Sequence, residues 1–278
     1  MKTIRVFPRR TKATPDDCDV YIGEPDLFAE SDRIHISVAF TWDIPEAERL
    51  SKLWSDIAPV EIGGPAIGQR GENFIPGLYL KSGYVITSRG CPNRCWFCSV
   101  WRREGETIRE LPITNGWNVL DDNLLACSEE HIRGVFSMLA HQPHPPEFTG
   151  GLEAKRLRLW HAVELKNIKP KQLFFAMDTD DDDERDALRD AGKLLLGQGF
   201  TRSGHVLRCY VLVGYPGDTF EKAEKRLRDC MSFGFLPMAM LYRDYTHGCE
   251  KDPQWSLFQR KWARPAIISK AYGSRAHA

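Results

Sequence analysis

The chain has 278 residues, enough for one large domain or one domain with a small extension. Its 38 basic and 38 acidic residues balance, which excludes a global electrostatic pull toward nucleic acid or anionic lipid and leaves only local basic patches. No apolar run approaches the ~20 residues of a membrane span, and Met1-Lys2-Thr3-Ile4-Arg5-Val6-Phe7-Pro8 lacks the apolar core of a signal peptide, so a cytoplasmic protein without a membrane partner is expected.

Residues 1–78 predict a small extension. Residues 34–40 alternate and are rich in β-branched side chains, which suits a strand. Asp43, Pro45 and Glu46 mark a helix start, and Ala47, Leu50, Leu53, Trp54 and Ile57 recur at helical spacing behind it. Val60-Glu61-Ile62 is a second short strand, closed by Gly63-Gly64-Pro65, so the expectation is a βαβ unit. Residues 66–83, with Gly68, Gly71, Pro76, Gly77 and Gly83, read as a connector to a strand over 84–87.

That strand delivers Ser88-Arg89-Gly90-Cys91-Pro92-Asn93-Arg94-Cys95-Trp96-Phe97-Cys98. With 8 cysteines in the chain, the spacing C-x₃-C-x₂-C would arise by chance roughly 0.007 times. Thiolates this close repel unless a metal neutralises them, and soft sulfur selects zinc, copper(I) or an iron–sulfur cluster. A tetrahedral zinc site needs a fourth ligand. Cys127, Cys209, Cys230, Cys249 and the histidines are available but none has ligand-like spacing. The other solution is a four-iron cubane with three cysteine-bound irons and one open iron. Outside this loop the cysteines are expected as reduced thiols.

The run Cys91-x₃-Cys95-x-Phe97-Cys98 resembles the signature of the radical S-adenosylmethionine enzymes, and the likeness covers roughly residues 80–247. The resemblance implies that Cys91, Cys95 and Cys98 are the metal ligands and catalytic core. They would hold a 4Fe–4S cluster whose open iron takes the amino and carboxylate groups of S-adenosylmethionine. An electron from a donor such as flavodoxin or ferredoxin then releases a 5′-deoxyadenosyl radical that abstracts hydrogen from substrate. The N-terminal unit resembles the end of the cobalamin-binding domain found in one branch of that family. It is about half the length of a doubly wound domain and lacks Asp-x-His-x-x-Gly, so cobalamin is not expected.

Beyond the loop, Arg89, Arg94, Arg102 and Arg103 surround the cysteines, either to offset cluster charge or as solvated side chains. Residues 106–116 lack a helical period. Strands are predicted at 117–120, 147–149, 171–177, 206–213 and 236–241. Ser128 caps a helix with Ile132, Val135, Phe136 and Leu139 inward, ended by Pro143, Pro145 and Pro146. The next helices carry inward Leu159, Ala162 and Val163; then Ala187, Leu188, Ala191, Leu194 and Leu195, stopping at Gly197 or Gly199; then Phe220, Ala223, Leu227, Cys230 and Met231. Strand–helix alternation implies parallel pairing through right-handed crossovers, hence an α/β fold. With the strand at 84–87 there are six strands, which suits the family's partial, open six-stranded β/α barrel. The expected organisation is 1–78 extension, 79–247 partial barrel and 248–278 tail.

The resemblance distributes the cofactor over strand ends. The amino group falls to Asp121, Asp122 and Asn123 or to Gly150, Gly151 and Glu153. The family's Gly-Gly-Glu follows its second strand, whereas Gly-Gly-Leu-Glu here follows the third, which favours Asp122. Asp178 and Thr179 stand where ribose hydroxyls are held, and residues 210–217, with Gly214 and Tyr215, resemble the adenine segment, with Phe97 stacking nearby. Tyr242, Arg243, Asp244, Tyr245 and His247 offer proton-transfer groups or a polar surface loop. Trp255, Phe258 and Trp262 among Arg260, Lys261 and Arg264 either stack on a nucleic-acid strand or fold against the barrel. No second cysteine cluster is present, which argues against methylthiolation. The layout is similar to small radical proteins, some from phage-type genomes, for which a nucleoside or nucleic acid is the natural substrate class. A cobalamin-assisted methyltransferase and a non-enzymatic metal-binding or nucleic-acid adaptor remain alternatives.

Overall fold

The computed structural model describes residues 2–243, 252–263 and 268; Asp244, Tyr245, His247, Cys249 and Arg264 lie outside them. The chain forms two compact units, Met1–Gly116 and Trp117–Ala278.

The first unit opens with strands β1 (Thr3–Phe7), β2 (Val20–Ile22) and β3 (Arg33–Ser37), helix α1 (Ile44–Trp54) and strand β4 (Val60–Gly63). They form a parallel sheet in the order β2-β1-β3-β4. The expected βαβ unit is therefore β3-α1-β4, half of a larger sheet with β1 near its middle. The sequence hides β1 because it is buried along nearly its whole length and shows no alternation. Arg5 can lie there because its guanidinium donates to the Leu78 carbonyl at 2.6 Å and pairs with Asp17. Ile4, Val6, Ile34, Ile36, Ala47, Leu50 and Trp54 build the core, and the Trp54 indole N–H donates to the Gly23 carbonyl at 3.0 Å. Leu53 stays on the outer side of the helix rather than in the predicted stripe.

Short elements complete this unit: β5 (Tyr84–Val85), β6 (Ser88–Arg89), α2 (Val100–Arg103) and β7 (Arg109–Glu110). The stretch without helical period thus contains a strand, β7, which pairs antiparallel with β6.

The second unit contains β8 (Asn118–Val119), α3 (Glu129–Ala140), β9 (Glu147–Phe148), α4 (Leu159–Asn167), β10 (Gln172–Ala176), α5 (Asp182–Gly197), β11 (Leu207–Val213), α6 (Phe220–Ser232), β12 (Leu236–Leu241) and α7 (Pro253–Trp262). Within it the strands run parallel in the order β12-β11-β10-β9-β8. The order follows the chain, as expected when each strand is joined to the next by a helix on the same sheet. Ser128 caps α3 by accepting the His131 N–H, and Ile132, Val135, Phe136 and Leu139 face inward as the periodicity predicts.

Helix α4 departs from expectation. Its buried residues are His161, Ala162 and Leu165, while Leu159 and Val163 are exposed. The tail aromatics are packed side chains: the Trp255 ring lies 4.3 Å from Phe220 and Trp262 is buried. Among the described residues no helix is long and apolar enough to cross a membrane.

Helix α5 packs closely at Gly192, where an added Cβ would stand 2.2 Å from the Phe233 carbonyl oxygen. Helix propensity alone makes Gly→Ala stabilising by about 1 kcal/mol. The contact reverses the sign, so Gly192→Ala is expected to lower the urea unfolding midpoint; a higher midpoint would show that this backbone contact is not tight.

Candidate functional site

In the first unit, β6 and β7 place Ser88 opposite Glu110 and Arg89 opposite Arg109, so residues 90–108 form one closed loop holding all three clustered cysteines. Gly90 enters it at φ +93°, and a Cβ there would meet the Thr107 carbonyl oxygen at 2.5 Å, so only glycine fits. The Cys91 N–H donates to the Gly105 carbonyl at 3.2 Å and the Cys98 N–H to the Cys95 carbonyl at 3.1 Å. The Trp101 indole N–H donates to the same Cys95 carbonyl at 3.0 Å. Arg102 donates to the Trp96 carbonyl and lies over the Trp101 ring. Arg94 pairs with Glu106 at 2.6 Å, and the Phe97 ring stands edge-on to Trp96.

Glu104 anchors the loop, a role that no pattern in the residues around it announces. Its carboxylate is 1% exposed and accepts from Arg103 at 2.9 Å, from Arg109 at 2.8 Å and from the Gly71 N–H at 3.1 Å. Burial pushes its pKa up, but Arg103, the Gly71 N–H and the nearby Arg89 outweigh that and hold it below the ordinary glutamate range. In sequence Glu104 is one of three acids, with Glu106 and Glu110, among Arg94, Arg102, Arg103 and Arg109, and nothing there marks it as buried.

Cys91, Cys95 and Cys98 are thiols of intermediate exposure. Among the described residues no three His, Cys, Asp or Glu side chains converge closely enough to hold a metal ion. The donor set nevertheless fits an iron–sulfur cluster. Three soft ligands share one loop whose backbone is fixed by its own hydrogen bonds, and drawing ligands together is commonly coupled to metal binding.

In the second unit the expected cofactor residues fall into three groups. Gly150 follows β9 so close to the end of β8 that a Cβ would meet the Asp121 carbonyl oxygen at 2.5 Å. Asp121 is buried, Asp122 is part-buried, and Gly151 takes φ +100° with open space around it. Glu153 is brought to Asn123: one carboxylate oxygen accepts from the Asn123 amide at 2.6 Å and from Arg156 at 2.7 Å.

Asp178 follows β10. Burial, then the neighbouring Glu184 carboxylate, pushes its pKa up to about 7, opposed by the Leu212 N–H and Arg226. Glu184 accepts the Asp178 N–H at 2.9 Å and the Thr179 hydroxyl at 2.8 Å, closing this strand end.

Gly214 follows β11 at φ +74°, and a Cβ would strike Leu241 and the Trp255 indole at 2.9 Å. The close approach expected of an adenine is thus made here by the protein's own tryptophan. The Gly214 N–H donates to Asp218 at 2.8 Å, and the buried Arg226 joins Asp218 (2.8 Å) to Asp180 (2.6 Å), its guanidinium 5.1 Å from the Tyr215 ring. Arg226 escaped the sequence reading because an arginine within α6 reads as a solvated side chain.

A scan against protein-family models finds no match to this chain, and a search of curated proteins finds no similar sequence.

Two outcomes are expected. Glu104→Gln should destabilise the protein by roughly 3 kcal/mol in urea unfolding, because it removes a charge from a buried pair; a change within error would show that the carboxylate anchors nothing. Asp178 binds its proton more tightly folded than unfolded, so between its ordinary 3.8 and about 7 the folded state holds the extra proton. Its contribution to stability is full below 3.8 and is lost as pH rises through 7. The stability of the wild type relative to Asp178→Asn should therefore fall from pH 4 to pH 8; a rise would overturn the shift.

Proposed function

We propose that this chain is a radical S-adenosylmethionine enzyme of the cytoplasm. The observation that carries the reading is three cysteines at C-x₃-C-x₂-C on one loop whose backbone is held by hydrogen bonds not involving sulfur. Cys91, Cys95 and Cys98 are read as ligands of a 4Fe–4S cluster. That cluster, when bound, supplies an electron that splits S-adenosylmethionine into methionine and a hydrogen-abstracting 5′-deoxyadenosyl radical.

The chain's own residues would prepare this chemistry. Gly90 gives the loop its turn and Glu104 holds its base. In the second unit the parallel strands, read as those of an open barrel, end in Asp121, Asp122, Gly150, Gly151, Glu153, Asp178 and Tyr215, while Gly214 is covered by Trp255. By the resemblance all but Gly214 face the cofactor. A titration near pH 7 leaves part of Asp178 protonated at neutral pH, so it can donate as well as accept at a ribose hydroxyl. A nucleoside or nucleic acid is the proposed substrate class, and flavodoxin or ferredoxin the proposed type of electron donor.

One observation favours a second reading, cobalamin-assisted methyl transfer. The order β2-β1-β3-β4 follows the doubly wound flavodoxin-like pattern, in which ligands sit at the switch between β1 and β3. Corrinoid absorption after incubation with cobalamin would support it, and failure to retain cobalamin would remove it.

The test of the main reading is anaerobic reconstitution with iron and sulfide, followed by dithionite and S-adenosylmethionine. The expected products are 5′-deoxyadenosine and methionine, lost in Cys91→Ala, Cys95→Ala and Cys98→Ala. A protein with a full complement of iron and no cleavage would overturn the proposal.

A further inference from the structure

The carboxyl ends of β1, β3 and β4 form a crest at one end of the first unit's sheet, because β1 pairs with β3 and β3 with β4, all parallel. Segments 8–13, 38–42 and 64–70 leave those ends. They carry Arg9, Arg10, Lys12 and Arg70 and not one acid, in a chain whose charges balance overall.

The three segments are tied together. The Val38 N–H donates to the Gly63 carbonyl at 2.8 Å and the Ala66 N–H to the Val38 carbonyl at 3.1 Å. Arg9 pairs with the buried Asp43, which fastens the end of β1 to the segment after β3. The Thr11 N–H donates to the Thr14 hydroxyl at 2.8 Å, closing the turn that carries Arg10 and Lys12.

Arg9 is therefore committed to Asp43, but Arg10, Lys12 and Arg70 are exposed and form no ion pair among the described residues. The acids nearest along the chain do not neutralise them. Asp16 is paired with Lys81 at 2.5 Å and feels Arg10 less than Lys81. Glu72 comes after the chain has reached Glu104, whose carboxylate accepts the Gly71 N–H at 3.1 Å.

Between these cations stands a pair of rings. Phe40 and Trp42 lie parallel, their centroids 4.7 Å apart and their planes at 9°, and Phe40 is 37% exposed. Strand β3 runs between β1 and β4, so the segment with the rings has cationic segments on both sides, about 10 Å apart at the usual strand spacing. A single phosphate cannot reach across that separation, whereas a chain of phosphates can.

We infer that this crest binds single-stranded nucleic acid, with a base stacked on the Phe40–Trp42 pair and backbone phosphates on Arg10, Lys12 and Arg70. Flat rings among cations are what an unpaired strand requires, since every base offers a π-face and every nucleotide a charge. An acidic protein segment would engage the cations and leave the rings idle. The crest uses none of the three clustered cysteines, so binding needs neither the cluster nor the radical chemistry. It lies at the β1–β3 switch, where cobalamin would sit in a methyl-transfer enzyme, and the two occupants exclude each other.

The test uses the full chain without added metal and a fluorescein-labelled deoxythymidine strand of roughly 20 nucleotides, longer than one site of this kind. Anisotropy should rise with micromolar protein, and affinity should fall as salt is raised from about 50 to 200 mM. In Arg10→Ala/Lys12→Ala/Arg70→Ala, which changes only exposed side chains, affinity should drop about tenfold or more. The slope of log affinity against log salt should flatten by about 2, as the loss of three phosphate contacts requires. Phe40→Ala should lose about tenfold with the slope unchanged, and Phe40→Tyr, which keeps the ring, should bind like the wild type. No binding at micromolar protein, or wild-type affinity in the triple variant or in Phe40→Ala, would overturn the inference. So would equal binding of poly-glutamate, which marks an acidic protein as the occupant, or displacement of the strand by cobalamin. Because the protein carries no metal in this experiment, its failure and a failure to cleave S-adenosylmethionine are separate results.

Discussion

A loop that carries three thiols must keep its shape by means other than sulfur, and in this protein a buried carboxylate does so. Glu104 draws Arg103, Arg109 and the Gly71 N–H to one point, and residues 90–108 span the distance between two short antiparallel strands above it. The charge is affordable in the interior only because its partners surround it; a buried carboxylate without them would be protonated or would unfold its surroundings. The backbone bonds at Cys91, Cys98 and Cys95 then set where the three side chains start. Metal binding on such a frame has less chain to order than on an open loop.

The same device recurs in the second unit. Where β10 ends, Glu184 accepts backbone N–H groups of the turn; where β11 ends, Asp218 does so with Arg226 behind it; past β9, Glu153 ties Asn123 to Arg156. Turns at the carboxyl ends of parallel strands leave N–H groups that the sheet cannot satisfy. At the ends of β10 and β11 internal carboxylates satisfy them, and past β9 Glu153 instead joins two side chains. The chemistry such strand ends support in α/β proteins depends on rigid turns.

Much of this was legible in the residues. The strands at β10, β11 and β12, the Ser128 cap and the stripe of α3 follow from runs and periods long enough to override local noise. Strand β1 was not legible, because burial along its length and a buried Arg5 erase the alternation that marks a half-buried strand. The inward face of α4 was misread for a related reason. Leu159 and Val163 are apolar yet exposed, whereas His161 is polar yet buried, its Nδ1 satisfied by the Arg158 N–H. Glu104 and Arg226 share that blind spot: a charged residue looks solvated in sequence until the partner that neutralises it is seen. The cysteine spacing was the clearest signal of all, since chance does not produce it and the chemistry of close thiols admits few explanations.

The central claim is that the three sulfurs leave one iron of a cluster open to a sulfonium cofactor. The measurement that reaches it most directly is electron paramagnetic resonance of the anaerobically reconstituted, dithionite-reduced protein, recorded before and after adding S-adenosylmethionine. The account predicts a reduced 4Fe–4S signal that changes shape when the cofactor is added. A signal indifferent to S-adenosylmethionine in a fully loaded protein, or iron that never binds while zinc does, would contradict it.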